Sequence, residues 1–178
     1  MYQTKLSTLL FKLIRLSVFL NLMMATGCGF QPLYSHGSSN SSHILNQLAR
    51  IQISPIESRI GQILRNFLQD KLTPSGVPSS PTYKLAISLK ETRSDMGILR
   101  DDTSTFAKVK MDAQYELINI ATKNILNSGT VTSTTVFNIV SSEYANLSAQ
   151  KDARRRTVSI ISDSVKERLA LFFLTNHK

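Results

Sequence analysis

The chain has 178 residues, with 21 Lys+Arg against 12 Asp+Glu and a formal net charge of +9. That length bounds it to one domain with a real core rather than several. Its single cysteine excludes a fold that depends on an internal disulfide.

Residues 1–15 carry Lys5, Lys12 and Arg15 and no acid, and Leu16 to Ala25 is apolar apart from Ser17 and Asn21. Ala25, Thr26 and Gly27 then lead into Cys28. A basic start, an apolar middle and a small-residue end describe a bacterial secretory signal over residues 1–27. A helix that spans a bilayer needs about 20 apolar residues, so a cleaved signal is favoured over a retained anchor. The signal resembles that of bacterial lipoproteins, in which the cysteine is acylated and becomes the first mature residue. The usual pattern places Leu three residues before the cysteine, and here Ala25 stands there. The plain alternative for Cys28 is a small buried hydrophobe. Three basic residues lie in 1–27, so residues 28–178 keep 18 basic against 12 acidic residues, a net +6. That balance suits an anionic partner as well as ordinary solubility. A secreted chain is not expected to meet nucleic acid.

Ser35 to Ser42 is polar and small, and residues 28–47 are expected to form the lipidated cysteine and a flexible tether. Residues 48–178 are expected to form one domain. Ile51 and Ile53 alternate with polar neighbours and predict a short strand ended by Pro55. Ile60, Ile63, Leu64, Phe67 and Leu68 recur at helical spacing on one face, with Ser58 as N-cap. Thr73 to Pro81 is a loop. Tyr83, Leu85, Ile87 and Leu89 predict a strand with one buried face. Asp95 to Ser104 reads as a hairpin turn. Ala107, Val109, Met111, Ala113, Tyr115 and Leu117 then alternate with polar residues in the most regular period-two run of the chain. Ala121 to Asn124 turns it back, and Asn127-Ser128-Gly129 reads as a bulge or second turn before a strand over 130–140. Ser141 or Ser142 is a candidate cap for a long helix from near Glu143 to near Phe173, with Val158, Ile161, Val165, Leu169 and Phe172 inward. The order is β-α-β-β-β-α. It predicts an α+β two-layer sandwich: a four-stranded antiparallel or mixed sheet with two helices on one face.

Catalytic signals are weak. His36, His43 and His177 lie in the tether and at the end, so no metal site is expected. No nucleophile elbow, zinc-protease motif or phosphate-cradling glycine loop is present. Asp101-Asp102 reads as a solvated turn, with a cation site as the lesser alternative. No cofactor is expected, and the chain reads as non-enzymatic. Lys84 and Lys90 share one strand face, and Lys108 and Lys110 share a face of the next. If those strands form a hairpin, these faces coincide, with Arg93 and Arg100 near its tip. Such a cluster can hold phosphate, although Glu91, Asp95, Asp112 and Glu116 are close in sequence. Arg154-Arg155-Arg156 reads as a solvated helix face, with a partner-binding patch as the alternative.

The stretch Gly27-Cys28-Gly29-Phe30-Gln31-Pro32-Leu33-Tyr34, followed by this element order, resembles the LPS-assembly lipoprotein (LptE) family, in particular its alphaproteobacterial members. The resemblance implies an anchor in the inner leaflet of the outer membrane, facing the periplasm. It implies a domain that plugs a large β-barrel partner of LptD type and helps to place lipopolysaccharide in the outer leaflet. It also implies lipopolysaccharide contact through basic residues. Lys84, Lys90, Arg93, Arg100, Lys108 and Lys110 are the candidates by charge and place. A free-standing periplasmic lipid-binding lipoprotein and a lipid-anchored envelope enzyme are the competing readings. A carrier needs a large apolar cavity, a plug needs a filled core, and an enzyme needs a cleft of polar side chains.

Overall fold

A computed structural model describes residues 39–97 and 104–176. Its centre is the strand with the regular alternation, which runs from Ser104 to Asn119. Ala107, Val109, Met111, Ala113, Tyr115 and Leu117 are all buried, at 3% exposure or less. Strict alternation works because successive side chains point to opposite sides of a sheet. One face of this strand is therefore core and the other is polar.

The elements follow in the order α1 (Ser39–Leu48), β1 (Ile51–Ile53), α2 (Arg59–Leu72), β2 (Tyr83–Gly97), β3 (Ser104–Asn119), β4 (Ile125–Asn138) and α3 (Glu143–Thr175). The sheet order is β1-β2-β3-β4, with β1 parallel to β2 and the other pairs antiparallel. The parallel pair needs a crossover, and α2 with its loop supplies it. The β3–β4 turn is held by Asn119, whose Oδ1 accepts the backbone N–H groups of Ala121 and Thr122, while Lys123 adopts φ 61°. The fold is the expected two-layer α+β sandwich with a mixed four-stranded sheet.

Helix α3 packs along β3 and β4, and α2 packs against α3 and β1. Ser142 caps α3 by accepting the N–H of Ala145, and Ser58 caps α2 by accepting that of Gly61. Val158, Ile161, Val165 and Leu169 are fully buried, and the core closes on Phe173 rather than on the expected Phe172. Leu64, Leu68, Leu85, Met111 and Leu117 fill the space between the layers. Lys71 ties the two long helices together. Its Nζ donates to Ser162 Oγ at 2.7 Å and to Ser159 O at 3.2 Å, and pairs with Asp163 at 2.6 Å.

Three local expectations are corrected. The tether expected over 28–47 becomes helix α1 at Ser39. Ile44 and Leu48, one turn apart, bury themselves against the body and α1 packs on α3. In α2 the buried stripe is Gly61, Leu64, Leu68 and Leu72, so Ile60, Ile63 and Phe67 sit on its half-buried flank. The irregularity expected at Asn127-Ser128-Gly129 lies earlier. Leu117 faces Asn127 and Ile118 faces Ile125, which leaves Leu126 as the extra residue. Gly129 stays in register opposite Tyr115. An added Cβ there would come within 3.1 Å of the tyrosine hydroxyl, so the glycine makes room for the ring.

Candidate functional site

Among the described residues, the sheet face turned away from the helices is open and mostly polar. Its rows follow from the strand register. Lys90 faces Asp112, which faces Thr132; Thr92 faces Lys110, which faces Thr134; Ser94 faces Lys108, which faces Val136. Three lysines are therefore grouped on adjacent positions of two strands. Asp112 sits among them. Thr132 Oγ1 donates to Asp112 Oδ1 at 2.6 Å, and Lys110 Nζ pairs with Asp112 Oδ2 at 3.3 Å. The Thr132 hydrogen bond is the main cause that holds the Asp112 carboxyl below its ordinary value of 3.8. Partial burial opposes that effect, and Lys110 and Lys90 add to it. Lys108 stands between Ser94 and Val136 with no carboxylate within ion-pair distance among the described residues.

A second basic surface lies between α2 and α3. Arg59, Ile60 and Ile63 of α2 and Lys151, Arg154 and Arg155 of α3 line a groove of about 270 Å³. The sequence reading of Arg154-Arg155-Arg156 as one solvated face is replaced by three separate arrangements. Arg154 Nε donates to Glu91 Oε1 at 2.6 Å. Arg155 lies 5.3 Å from the Phe67 ring centroid. Arg156 pairs with Asp152 one turn earlier.

No protein-family model matches this chain, and no curated protein matches it either. Its structure is similar to solved structures. A candidate lipoprotein from Caulobacter crescentus CB15 superposes with TM-score 0.62 at 19% identity, covering 74% of this chain and 96% of that one. Rare lipoprotein B from Shewanella oneidensis gives 0.57 at 7% identity, covering 72% and 98%. A minor lipoprotein from Acinetobacter baumannii gives 0.56 at 14% identity, covering 69% and 92%. The chain shares its fold with these lipoproteins, rare lipoprotein B among them. At these identities the likeness concerns the fold alone.

On this fold the six expected basic residues do not form one cluster. Lys90, Lys108 and Lys110 come together. Lys84 shares their face but lies six residues along β2 from Lys90, roughly 20 Å away at about 3.3 Å per residue. Arg93 is corrected: it stands on the opposite, helix-side face. Its odd position in β2 aligns it with Glu91 and Asp95, not with Lys90. There its Nε donates to Asp95 Oδ1 at 3.0 Å, its Nη1 donates to Gln150 Oε1 at 3.1 Å, and its guanidinium lies over Phe137. Arg100 and Cys28, with the leader over 1–27, lie outside the described residues. Sequence reasoning missed Arg59 and Lys151. The available signal was the spacing of Lys151, Arg154 and Arg155 at three and four residues, which stacks them on one helix side.

Proposed function

We propose that the chain is a non-catalytic outer-membrane lipoprotein, anchored through Cys28 on the periplasmic side. In this reading it plugs and helps assemble an LptD-type β-barrel translocon that inserts lipopolysaccharide into the outer leaflet. The observation that carries the reading is a filled core beneath a sheet whose other face is polar and, among the described residues, uncovered. The layer between sheet and helices is occupied by fully buried side chains such as Leu64, Leu68, Met111, Leu117, Ile161 and Leu169. A carrier would need that space for its ligand. A plug instead needs a rigid body with a polar outer surface, because a water-filled barrel lumen is itself polar. The LptE-like fold shared with lipoproteins supports the same reading. Any lipopolysaccharide contact through the sheet face would rest on Lys90, Lys108 and Lys110. Converting Lys108 and Lys110 to glutamate should then weaken lipopolysaccharide binding while the circular dichroism spectrum stays native. Unchanged binding in a folded variant removes the sheet face from the mechanism. Cys28→Ser should move the chain from the membrane fraction to the soluble periplasmic fraction, and continued membrane retention would remove the lipid anchor.

A further inference from the structure

We propose that the groove between α2 and α3 is a binding site for the phosphate of an anionic lipid, with the first part of the acyl region against Ile60 and Ile63. Four cations line the groove: Arg59, Lys151, Arg154 and Arg155. Of these, Arg154 has a carboxylate partner, Glu91. Among the described residues no carboxylate lies within ion-pair distance of Arg59, Lys151 or Arg155. The sheet face differs in this respect, because Asp112 already pairs with Lys110 there and stands opposite Lys90. Three uncompensated cations on one short groove favour an anion, and a phosphate monoester carries about −1.5 to −2 at pH 7.

The lining of the groove is also apolar. Ile60 and Ile63 have helical spacing typical of core positions, yet both are only half-buried, and both face this groove. The carbon stems of the arginines and Lys151 add to its walls. Arg155 is held in place by stacking over Phe67. A groove that combines apolar lining with four basic side chains matches a molecule that has both an acyl chain and a phosphate, and it offers little to an inorganic anion alone. At about 270 Å³ the groove is smaller than the roughly 300–1,000 Å³ of a drug-sized ligand pocket. It therefore takes a headgroup and the first methylenes, and leaves the rest of the lipid in the bilayer or micelle. The inference rests on the membrane attachment proposed above, which brings the domain within reach of lipid.

The test is calorimetric titration of the full chain, purified in a neutral maltoside detergent, with dihexanoylphosphatidic acid. Saturable one-to-one binding is expected. Arg59→Gln combined with Lys151→Gln should weaken it by about tenfold or more, the loss of at least one charge-assisted hydrogen bond. Both side chains are exposed, so the variant keeps its fold, which its thermal melt checks. Lys123→Gln, an exposed cation in the β3–β4 turn that belongs to neither basic surface, should leave the affinity within about twofold of the original. Ile63→Gln should weaken the lipid selectively. Unchanged affinity in the Arg59/Lys151 variant, or equal binding of inorganic phosphate or of a tetraglutamate peptide, overturns the proposal. The titration contains no barrel protein, so its outcome is independent of whether the chain co-purifies with one.

Discussion

Gly61→Ala is expected to destabilise the domain although it places the best helix former in a helix. Gly61 is the third residue of α2 and is buried. On propensity alone the change would stabilise by at most about 1 kcal/mol, and by less in a first turn. Geometry opposes it. A Cβ at this position would lie 2.7 Å from Ile56 Cγ2 and 3.2 Å from both the Cβ and the backbone carbonyl carbon of Ile56. Ile56 is only 4% exposed, so its side chain has no free direction in which to retreat. Overpacking of this kind costs about 1–3 kcal/mol. Separation of α2 from the Ile56 backbone would also strain the Ser58 cap, whose Oγ accepts the Gly61 N–H at 3.2 Å. Loss of such a cap costs about 0.5–2 kcal/mol. The net expectation is a loss of about 1–3 kcal/mol, read by urea unfolding followed at 222 nm. In an Ile56→Ala background the 2.7 Å contact is gone, so the added cost of Gly61→Ala should shrink. A Gly61→Ala protein as stable as the original, or an undiminished cost in the double variant, would refute the reasoning.

Three further outcomes are expected. The Asp112 carboxyl should titrate below 3.8 in carbon NMR and move upward in Thr132→Val, because the Thr132 hydrogen bond is the largest cause of its lowering. Its contribution to stability is therefore full at neutral pH and is lost as pH falls through the lowered folded value; titration at or above 3.8 would contradict this. Leu169→Ala should cost about 2–5 kcal/mol, since Leu169 is fully buried, whereas Leu171→Ala two residues on, at 45% exposure, should stay within about 0.5 kcal/mol; similar values for both would mean that α3 is rotated from the orientation described. Thr157→Val should cost about 1 kcal/mol in urea unfolding, because the buried hydroxyl bonds both Thr135 Oγ1 and Ala153 O, and a neutral result would show those bonds to be dispensable.

The sequence reveals those parts of the fold in which period and burial coincide. Ala107 to Leu117 alternates without exception because β3 lies between two strands and under a helix, so every second residue is core. The four inward residues of α3 from Val158 to Leu169 are legible for the same reason. Helix α1 is not, since Ser39-Asn40-Ser41-Ser42 has the composition of a linker. Only the packing of Ile44 and Leu48 makes this helix worth forming. Ile60 and Ile63 read as core because spacing alone does not say how wide a stripe the neighbouring helix covers. The candidate site was less legible still. Whether Lys110 is a free cation depends on Asp112 and Thr132, and that row exists only once the register of three strands is fixed. Arg93 shows the same limit, because a shift of one residue in the strand moves a charge to the other face. The Arg59/Lys151 groove joins residues 92 positions apart, which no local pattern connects.

The measurement that bears most directly on the proposed function is affinity purification of the tagged, lipidated chain from mild-detergent membrane extracts, followed by mass spectrometry with quantification of each partner. A large outer-membrane β-barrel protein is expected in near one-to-one ratio with the chain. Recovery of the chain alone, with loosely bound phospholipid, would contradict it and favour a free carrier.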